Sequence, residues 1–292
     1  MAALTPHPTT AALTAAPEWP ALEARLMQLL GTVRRWSPPV PPPASPDPGR
    51  VRVVHWNIEH GNWWEPLTRA LDGEEYLKDA DLYCFNEVDL GMARAGNRDV
   101  AFELAERLHR HAAWAPLFLE TGAGRHDDFA AAGGRPNEEA LFGLCILSRW
   151  PIGAARIVHL PSPQEIQFDR ERMFGFHIAL ILEIQRPGAP FNAVTVHLNV
   201  HRDRVDRARE MKIVMDALKD TPDPVLLSGD LNTHTFDRRH KDHTLRAALA
   251  LALTPNEPLR RRFCRPETGP LRHPGDKRIE DARDEQRSVF ER

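Results

Sequence analysis

Apolar and polar positions alternate with two different periods from Val51 onward, and each period predicts a different element. Short segments that are rich in branched side chains and bounded by Pro, Gly, Asn or Asp predict β-strands: VRVVHW, DLYCFN, LFGLCILS, FGFHIALILEI, FNAVTVHL and PVLLSG. Longer segments with apolar residues at helical spacing predict helices: PLTRALDGEEYLKDA, DVAFELAERLHRH and RDRVDRAREMKIVMDALKD. This order of strands and helices predicts a layered α/β protein with mixed sheets.

The first 49 residues follow a different pattern. They are rich in Ala, Thr and Pro and close with SPPVPPPASPDPG, a composition typical of an extended linker rather than of a core. Within them, PALEARLMQLLGTVRRW has apolar residues at helical spacing, which predicts a short amphipathic helix that packs on the main domain. We therefore divide the chain into an N-terminal extension, residues 1–49, and one domain, residues 50–292.

Composition narrows the function only slightly. The chain has 292 residues and a formal net charge of −3, which argues against a broad basic surface for nucleic acid. Its three cysteines, Cys84, Cys145 and Cys264, lack metal-type spacing and are predicted to be reduced thiols. The sequence shows no secretory signal pattern and no run of 18 apolar residues, so we expect a cytoplasmic protein without a transmembrane segment. The oligomeric state stays open.

Four of the predicted strands lead into polar side chains that are able to hold a metal ion or a phosphate. The strands are followed by Asn57 and Glu59, by Asn86 and Glu87, by His197 and Asn199, and by Asp230 and Asn232. After a single strand, an Asn or Asp is more often a turn residue or a helix cap. Four such endings in one chain favour a ligand site, because ligands of layered α/β folds bind at strand ends.

Five motifs carry a family resemblance. In chain order over residues 51–240 they are HWNIEHG, FNEVD, GLCILSRWPI, VTVHLN and LLSGDLNTH, and they resemble the endonuclease/exonuclease/phosphatase superfamily, the deoxyribonuclease-I-like phosphoesterases. The resemblance implies an α/β sandwich of two sheets with helices on the outer faces. It also implies a metal-dependent hydrolase, of nuclease or phosphodiesterase type, that cleaves a phosphodiester or phosphomonoester bond by metal-assisted attack of water.

Phosphoester hydrolysis requires a cation on the nonbridging oxygens, an activated water and a stabilised leaving group. Mg²⁺, with Mn²⁺ as an alternative ion, suits the first task, and Glu87 is the best candidate for its carboxylate ligand. The resemblance implies that Asn57 and Asp230 complete the metal site and that Asp230 also orients the attacking water. It further implies that Asn57, His197 and Asn232 bind the phosphate, with catalytic roles for His197 and Asn232.

Other polar residues near these motifs have two interpretations each. Glu59, Asn199 and His234 either line the pocket or serve as turn residues. The histidines within residues 234–243 lack a clear fourth zinc ligand, which favours a solvated surface. The arginines within residues 260–265 either contact a phosphate backbone or face solvent.

One motif of the superfamily is not found in this sequence: a final strand followed by Ser-Asp-His, whose histidine is the general base. Asp242 and His243 are adjacent, but no strand pattern precedes them, and His273 has no Asp before it. We therefore expect a C-terminal part that is atypical or truncated, and this places the activity in doubt. Loss of a general base commonly costs about 10²–10⁴ in rate.

Two alternatives to an active phosphoesterase follow. One is a catalytically impaired relative that retains the metal- and phosphate-binding pocket. The other is a dinuclear metallophosphoesterase, which requires an early Asp-x-His and a later Asn-His pair that do not stand in suitable places here. The partner is a phosphate-ester substrate, with nucleic acid, phospholipid head group and inositol phosphate all open, and the loop at residues 121–139 is the predicted determinant.

Overall fold

The structure is a computed structural model that describes residues 4, 6–124, 127–160, 166–167, 172–200 and 204–232. The chain divides into two compact units: Met1–His197 with Leu218–Asp230, and Leu198–Ala217 with Leu231–Arg292. None of the helices in the described ranges combines the length and apolar character that a membrane-spanning helix needs.

The strands, numbered in chain order, are β1 (Arg34–Trp36), β2 (Val53–His60), β3 (Leu82–Leu90), β4 (His111–Glu120), β5 (Leu141–Ser148), β6 (Ile152–Leu160), β7 (Ile166–Gln167), β8 (Met173–Gly175), β9 (His177–Ile184), β10 (Phe191–His197) and β11 (Val225–Asp230). The helices are α1 (Thr10–Thr14), α2 (Trp19–Leu30), α3 (Trp64–Gly73), α4 (Val100–Leu108), α5 (Asp127–Ala132) and α6 (Arg204–Leu218). A 3₁₀ helix spans Ala93–Ala95.

Two mixed sheets form the first unit. The larger sheet has the order β2-β3-β5-β4-β8-β7, with β1 also paired to β4. The smaller sheet has the order β11-β10-β9-β6. Within each sheet one pair is parallel, β2 with β3 and β10 with β11, and the other described pairings are antiparallel. The carboxyl ends of the two parallel pairs carry the polar residues singled out above.

The alternation of side chains along β3 shows how the layers are built. Leu82 and Cys84 belong to the core between the two sheets, together with residues of β5, β9 and β10. Tyr83 and Phe85 point the other way and pack with apolar residues of helices α2, α3 and α4. The predicted fold class, a two-sheet α/β sandwich with helices on the outer faces, is confirmed.

Two thiols of the first unit are deeply buried. Cys84 and Cys145 are free thiols with no exposed surface, as predicted for a reduced chain. Burial raises the pKa of the Cys84 thiol to about 11, so the group stays protonated and unreactive at neutral pH. Cys264 lies outside the described residues.

The strands predicted from the sequence differ from the structure at several positions. The segment FGFHIALILEI is not one strand, because β8 and β9 lie in different sheets on either side of Phe176. The strands β4 and β6 were not predicted from the sequence. The residues HAAWAPLFLE of β4 have weak strand propensity, but the strand is buried along almost its whole length at the centre of the larger sheet. Tertiary burial outweighs local propensity there.

The N-terminal extension contributes to the core more than its composition predicts. The predicted helix over PALEARLMQLLGTVRRW is shorter in the structure, because α2 ends before Gly31 and Arg34–Trp36 pair with β4 as a strand. Leu26 and Leu30 are buried, and the Trp19 ring lies 5.6 Å from the Phe174 ring in an edge-on contact. Residues of the extension are therefore part of the first unit's apolar core.

Replacing Leu30 by Ala tests this packing. Leu30 is 1% exposed, so Leu30→Ala is expected to lower the free energy of unfolding by about 2–5 kcal/mol in urea titrations followed by circular dichroism. The neighbouring Leu29→Ala is the control, because Leu29 is 39% exposed and its loss should cost well under about 1 kcal/mol. Equal effects of the two substitutions would mean that α2 does not pack as described.

Candidate active site

Glu87 occupies a distorted position within an otherwise regular strand. The register between β3 and β5 shifts between Asn86 and Val88, which marks a β-bulge. Glu87 itself has a φ of 55°, a left-handed conformation that is unfavourable for a residue with a side chain. The bulge leaves the Glu87 side chain partly exposed between buried neighbours. Strain of this kind is often found at functional sites.

Asn57 links Glu87 to Asp230. The Asn57 side-chain nitrogen donates hydrogen bonds to Glu87 Oε1 at 3.0 Å and to Asp230 Oδ2 at 2.9 Å. Its side-chain oxygen accepts the backbone N–H of Glu59 at 3.1 Å. Because carboxylates only accept, the hydrogen-bond network fixes which way the amide is turned. Two acidic groups, one from each sheet, therefore converge on a single amide.

Gly229 allows β11 to reach this position. It pairs with Val196 of β10, and a Cβ on Gly229 would lie 2.3 Å from the Val196 carbonyl oxygen. Its φ of 151° also disfavours any other residue. The next pair in the register is His197 with Asp230, so the glycine brings both side chains to the same strand end.

His197 completes the group. Its side chain is only 8% exposed, and its Nε2 lies 3.9 Å from both Glu87 Oε1 and Asp230 Oδ2. No described residue provides a hydrogen-bond partner for its Nδ1. The ring of His177 packs edge-on against it at 5.4 Å, and His177 Nδ1 donates to the His197 carbonyl oxygen at 3.0 Å. The backbone and ring of His197 are thus both held in place.

Asn86 and His55 connect the two sheets beside this group. Asn86 is fully buried, and its side-chain nitrogen donates to the Val196 carbonyl oxygen across the sandwich at 2.7 Å. His55 Nε2 lies 2.7 Å from Asn86 Oδ1 and donates to it. Burial lowers the pKa of His55, which favours its neutral form. In the sequence, Asn86 was visible only as a polar residue at a strand end, and nothing pointed to His55.

His60 is a further residue that sequence reasoning did not select. Its Nε2 lies 3.4 Å from Glu87 Oε2, and its Nδ1 lies 3.1 Å from Asp89 Oδ1. Burial opposes the charged form, but the charge and hydrogen bond of Asp89 together with the charge of Glu87 outweigh it and raise the pKa of His60. Burial likewise opposes the charge of Asp89, yet His60 and Arg94 hold the pKa of Asp89 below its usual range. The histidine in NIEHG and the Asp-x₄-Arg spacing after FNEV were the available signals.

The structure brings four of the five predicted site residues together. Asn57, Glu87, His197 and Asp230 form one group in the first unit. Asn232 belongs to the second unit, where its side-chain nitrogen donates to the Leu198 carbonyl oxygen at 2.7 Å.

The other polar residues named in the sequence analysis have structural contacts or lie outside the described residues. The Glu59 carboxylate accepts a hydrogen bond from the Trp63 indole at 3.2 Å. In the second unit, the backbone N–H of Asn199 donates to the Glu210 carboxylate at 3.0 Å. His234, His240, Asp242, His243, the arginines within 260–265 and His273 lie outside the described residues.

The donor set fits a hard divalent cation. Mg²⁺ is commonly held by one or two carboxylates and keeps several waters, and Glu87 and Asp230 supply two carboxylates that converge on one amide. In the described ranges, no three His, Cys, Asp or Glu side chains are placed to hold an ion by themselves. A cation here would therefore depend on the two carboxylates and water. Asn57, predicted from the sequence to complete the metal site, turns its side-chain nitrogen toward both carboxylates and so orients them.

Comparison with protein-family models identifies the family of the chain. Residues 54–279 match the Endonuclease/Exonuclease/phosphatase family, and the chain belongs to this family, whose members are generally hydrolytic phosphoesterases or nucleases. The match extends well beyond residue 240, where the motifs recognised in the sequence end. No curated protein matches the chain significantly.

Several solved structures are similar to the chain at low identity. The endonuclease/exonuclease/phosphatase from Beutenbergia cavernae DSM 12333 is 22% identical, with 64% of this chain and 48% of that chain covered and a TM-score of 0.44. The human Nocturnin catalytic domain with bound sulfate anion is 16% identical, with coverage of 76% and 73% and a TM-score of 0.42. The D. rerio TDP2 complexed with single strand DNA product is 17% identical, with coverage of 62% and 60% and a TM-score of 0.38. This chain spans about half of the length of the first of them.

Gly229→Ala tests the close approach that carries Asp230. The added methyl group would meet the Val196 carbonyl oxygen, and overpacking of this kind typically costs about 1–3 kcal/mol in the free energy of unfolding, measured by urea denaturation. The control is Gly188→Ala, because Gly188 also has a positive φ but nothing lies within 4 Å of its added Cβ. Gly188→Ala should cost only the backbone strain, about 1 kcal/mol. A smaller cost for Gly229→Ala than for Gly188→Ala would contradict the described pairing.

Proposed function

We propose that this protein is a Mg²⁺-dependent phosphoesterase that hydrolyses a phosphodiester or phosphomonoester bond. The observation that carries the proposal is the convergence of the Glu87 and Asp230 carboxylates on the Asn57 amide. Membership of the Endonuclease/Exonuclease/phosphatase family supports it, because the family's chemistry is hydrolysis of phosphate esters.

Glu87 and Asp230 would hold the ion, and the side-chain nitrogen of Asn57, which faces both carboxylates, would orient them. The charged partners of Glu87 in the described part of the chain are His60 and His197, so the site has no Lys or Arg next to Glu87. Bound there, Mg²⁺ or Mn²⁺ would neutralise the nonbridging oxygens of the phosphate. The amide of Asn57 contributes a neutral dipole that orients both carboxylates without competing for their charge.

His197 is the residue proposed to bind the phosphate. Its Nε2 lies 3.9 Å from an oxygen of Glu87 and 3.9 Å from an oxygen of Asp230, so the imidazole is next to both carboxylates. An N–H donor in this place would stabilise charge that develops on a phosphoryl oxygen. Removal of one positioned donor of this kind typically costs about 10²–10³ in rate.

Asp230 has the second role of orienting water. Its carboxylate is 27% exposed and accepts hydrogen bonds, so a water beside it is turned with its oxygen lone pair toward phosphorus. The water oxygen then bonds to phosphorus and the water gives up a proton. The bond from phosphorus to the leaving oxygen breaks, and the leaving group takes up a proton, so that the step balances. Asn232, two residues further along, is assigned by its motif to a phosphoryl oxygen.

A second candidate is a relative that binds metal and phosphate without turnover. The observation that favours it is the lack of a Ser-Asp-His triplet anywhere in the sequence. In that case Glu87 and Asp230, oriented by Asn57, would still hold an ion, but no histidine of that triplet would activate the water.

Substitution of the two carboxylates distinguishes these functions. We expect the parent protein to hydrolyse bis(p-nitrophenyl) phosphate, p-nitrophenyl phosphate or an oligonucleotide with Mg²⁺ or Mn²⁺. Glu87→Gln and Asp230→Asn should each lower kcat by at least about 10²-fold, because each removes a charge that the ion and the water require. Asp72→Asn is the matched control, since Asp72 is an exposed carboxylate paired with Arg107.

Three other results would overturn the assignment. Metal binding without turnover in the parent would support the impaired relative. Unchanged activity in both carboxylate variants would place the chemistry elsewhere in the chain. A requirement for zinc or iron in place of magnesium would favour the dinuclear metallophosphoesterase class.

A further inference from the structure

A row of charged side chains leads from Glu87 into the interior of the first unit. Glu87 Oε2 lies 3.4 Å from His60 Nε2, and His60 Nδ1 lies 3.1 Å from Asp89 Oδ1. Behind Asp89, the Arg94 guanidinium makes two hydrogen bonds to the carboxylate, at 2.8 and 3.0 Å. A further carboxylate, that of Glu120, lies 2.9 Å from Arg94. Exposure of the side chains falls along this row from 22% at Glu87 to 18% at His60 and zero at Asp89.

The two oxygens of Glu87 have different partners. Oε1 faces the side-chain nitrogen of Asn57 at 3.0 Å, on the side of Asp230, whereas Oε2 faces His60. The terminal torsion of a glutamate is soft and roughly two-fold, so a free carboxylate would rotate. A partner on Oε2 removes this freedom and leaves Oε1 directed at the candidate metal site.

The backbone around His60, which contacts Glu87, is in a strained conformation. Glu59 and His60 have φ values of 49° and 66°, and Gly61 follows with 78°. The register between β2 and β3 shifts between Asn57 and His60, so this strand end is bulged opposite the bulge at Glu87. The ring of Phe142 packs edge-on against His60 at 5.3 Å. Left-handed residues with side chains are unfavourable and persist where surrounding contacts require them.

The support behind His60 is also specific. Gly91 has a φ of 61°, and a Cβ there would lie 2.5 Å from the backbone nitrogen of Glu139, so the turn after Asp89 requires glycine. This turn brings Arg94 back onto Asp89, which lies five residues earlier. Buried charge pairs add little net stability compared with apolar residues of similar size. Stabilisation of the fold therefore does not explain why Arg94, Asp89 and His60 form a row of charged groups that leads to Glu87.

We propose that His60 is a positioning residue that holds the Glu87 carboxylate in the orientation that binds the metal, with Asp89 and Arg94 fixing the imidazole. The inference rests on the proposed function, because it assigns a task to a residue behind the metal ligand. Partners of this kind orient metal ligands, and their loss typically lowers metal affinity or activity by about 10–100-fold. His60 touches neither substrate nor metal in this assignment.

The test measures Mn²⁺ affinity of the full-length protein by isothermal titration calorimetry at one fixed pH. His60→Ala should weaken Mn²⁺ binding by about 10–100-fold. His60→Gln should recover part of this loss, since its amide N–H reaches toward Glu87 where the imidazole Nε2 stood. In activity assays the same variants should need more Mg²⁺ for half-maximal rate, with kcat at saturating Mg²⁺ largely restored.

His111→Ala is the matched control. His111 is a half-buried histidine whose Nδ1 lies 3.0 Å from Ser37 Oγ. It pairs with Ser148, which also pairs with Leu82 at the start of β3, so it lies at the far end of the larger sheet from Glu87. Its Mn²⁺ affinity should equal that of the parent. Thermal unfolding in EDTA shows whether each variant is folded at the temperature of the titration.

The outcomes separate the inference from the function on which it rests. If the parent binds no Mn²⁺, or if Glu87→Gln leaves Mn²⁺ affinity unchanged, the proposed metal site is wrong and the inference falls with it. If the parent binds Mn²⁺ and loses it on Glu87→Gln, but His60→Ala binds within about twofold of the parent, only the inference is overturned. Should His60→Ala fail to fold, Asp89→Asn decides, because it removes the charge that fixes the imidazole. Parental Mn²⁺ affinity in Asp89→Asn would then overturn the inference.

Discussion

The meeting of two carboxylates on the amide of Asn57 is the interaction that the rest of the site depends on. Glu87 belongs to the larger sheet and Asp230 to the smaller one, so the contact exists because the two sheets pack face to face, with β11 against β2 and β3. The two negative carboxylates converge at a partly buried site and repel each other. The Asn57 amide and the neighbouring histidines offset part of this repulsion, and a divalent cation would offset much more.

Several backbone features serve this one contact. The bulge at Glu87 turns its side chain out of the sheet, and Gly229 lets β11 approach β10 closely enough to place Asp230 beside His197. The buried amide of Asn86 fixes the two sheets relative to each other through the Val196 carbonyl. Strained or closely packed backbone at two points, with a buried hydrogen bond between the sheets, is consistent with a site whose geometry is held by the fold rather than by its loops.

The order of strands and helices predicted a layered α/β protein, the family resemblance implied the two-sheet sandwich, and the strand ends indicated the polar residues of the site. Strand ends are marked by an abrupt change from apolar to polar residues, and four such changes were visible at Asn57, Glu87, His197 and Asp230. The proposed role of His60 could not be predicted from the sequence. It depends on bulges in β2 and β3 that lie opposite each other and on left-handed residues, and no local sequence pattern predicts either feature. Strand β4 was missed because burial, and not propensity, makes it a strand.

The most direct test of the account is the position of a bound ion. Crystals of the parent protein grown with Mn²⁺ would be measured at the manganese absorption edge, and the anomalous difference map would show where the ion lies. If Glu87 and Asp230 hold the ion, one strong peak is expected within bonding distance of both carboxylates, adjacent to Asn57. Two results would contradict the proposed metal site: a Mn²⁺ peak elsewhere, or no peak at these carboxylates in a protein that hydrolyses phosphate esters with Mn²⁺.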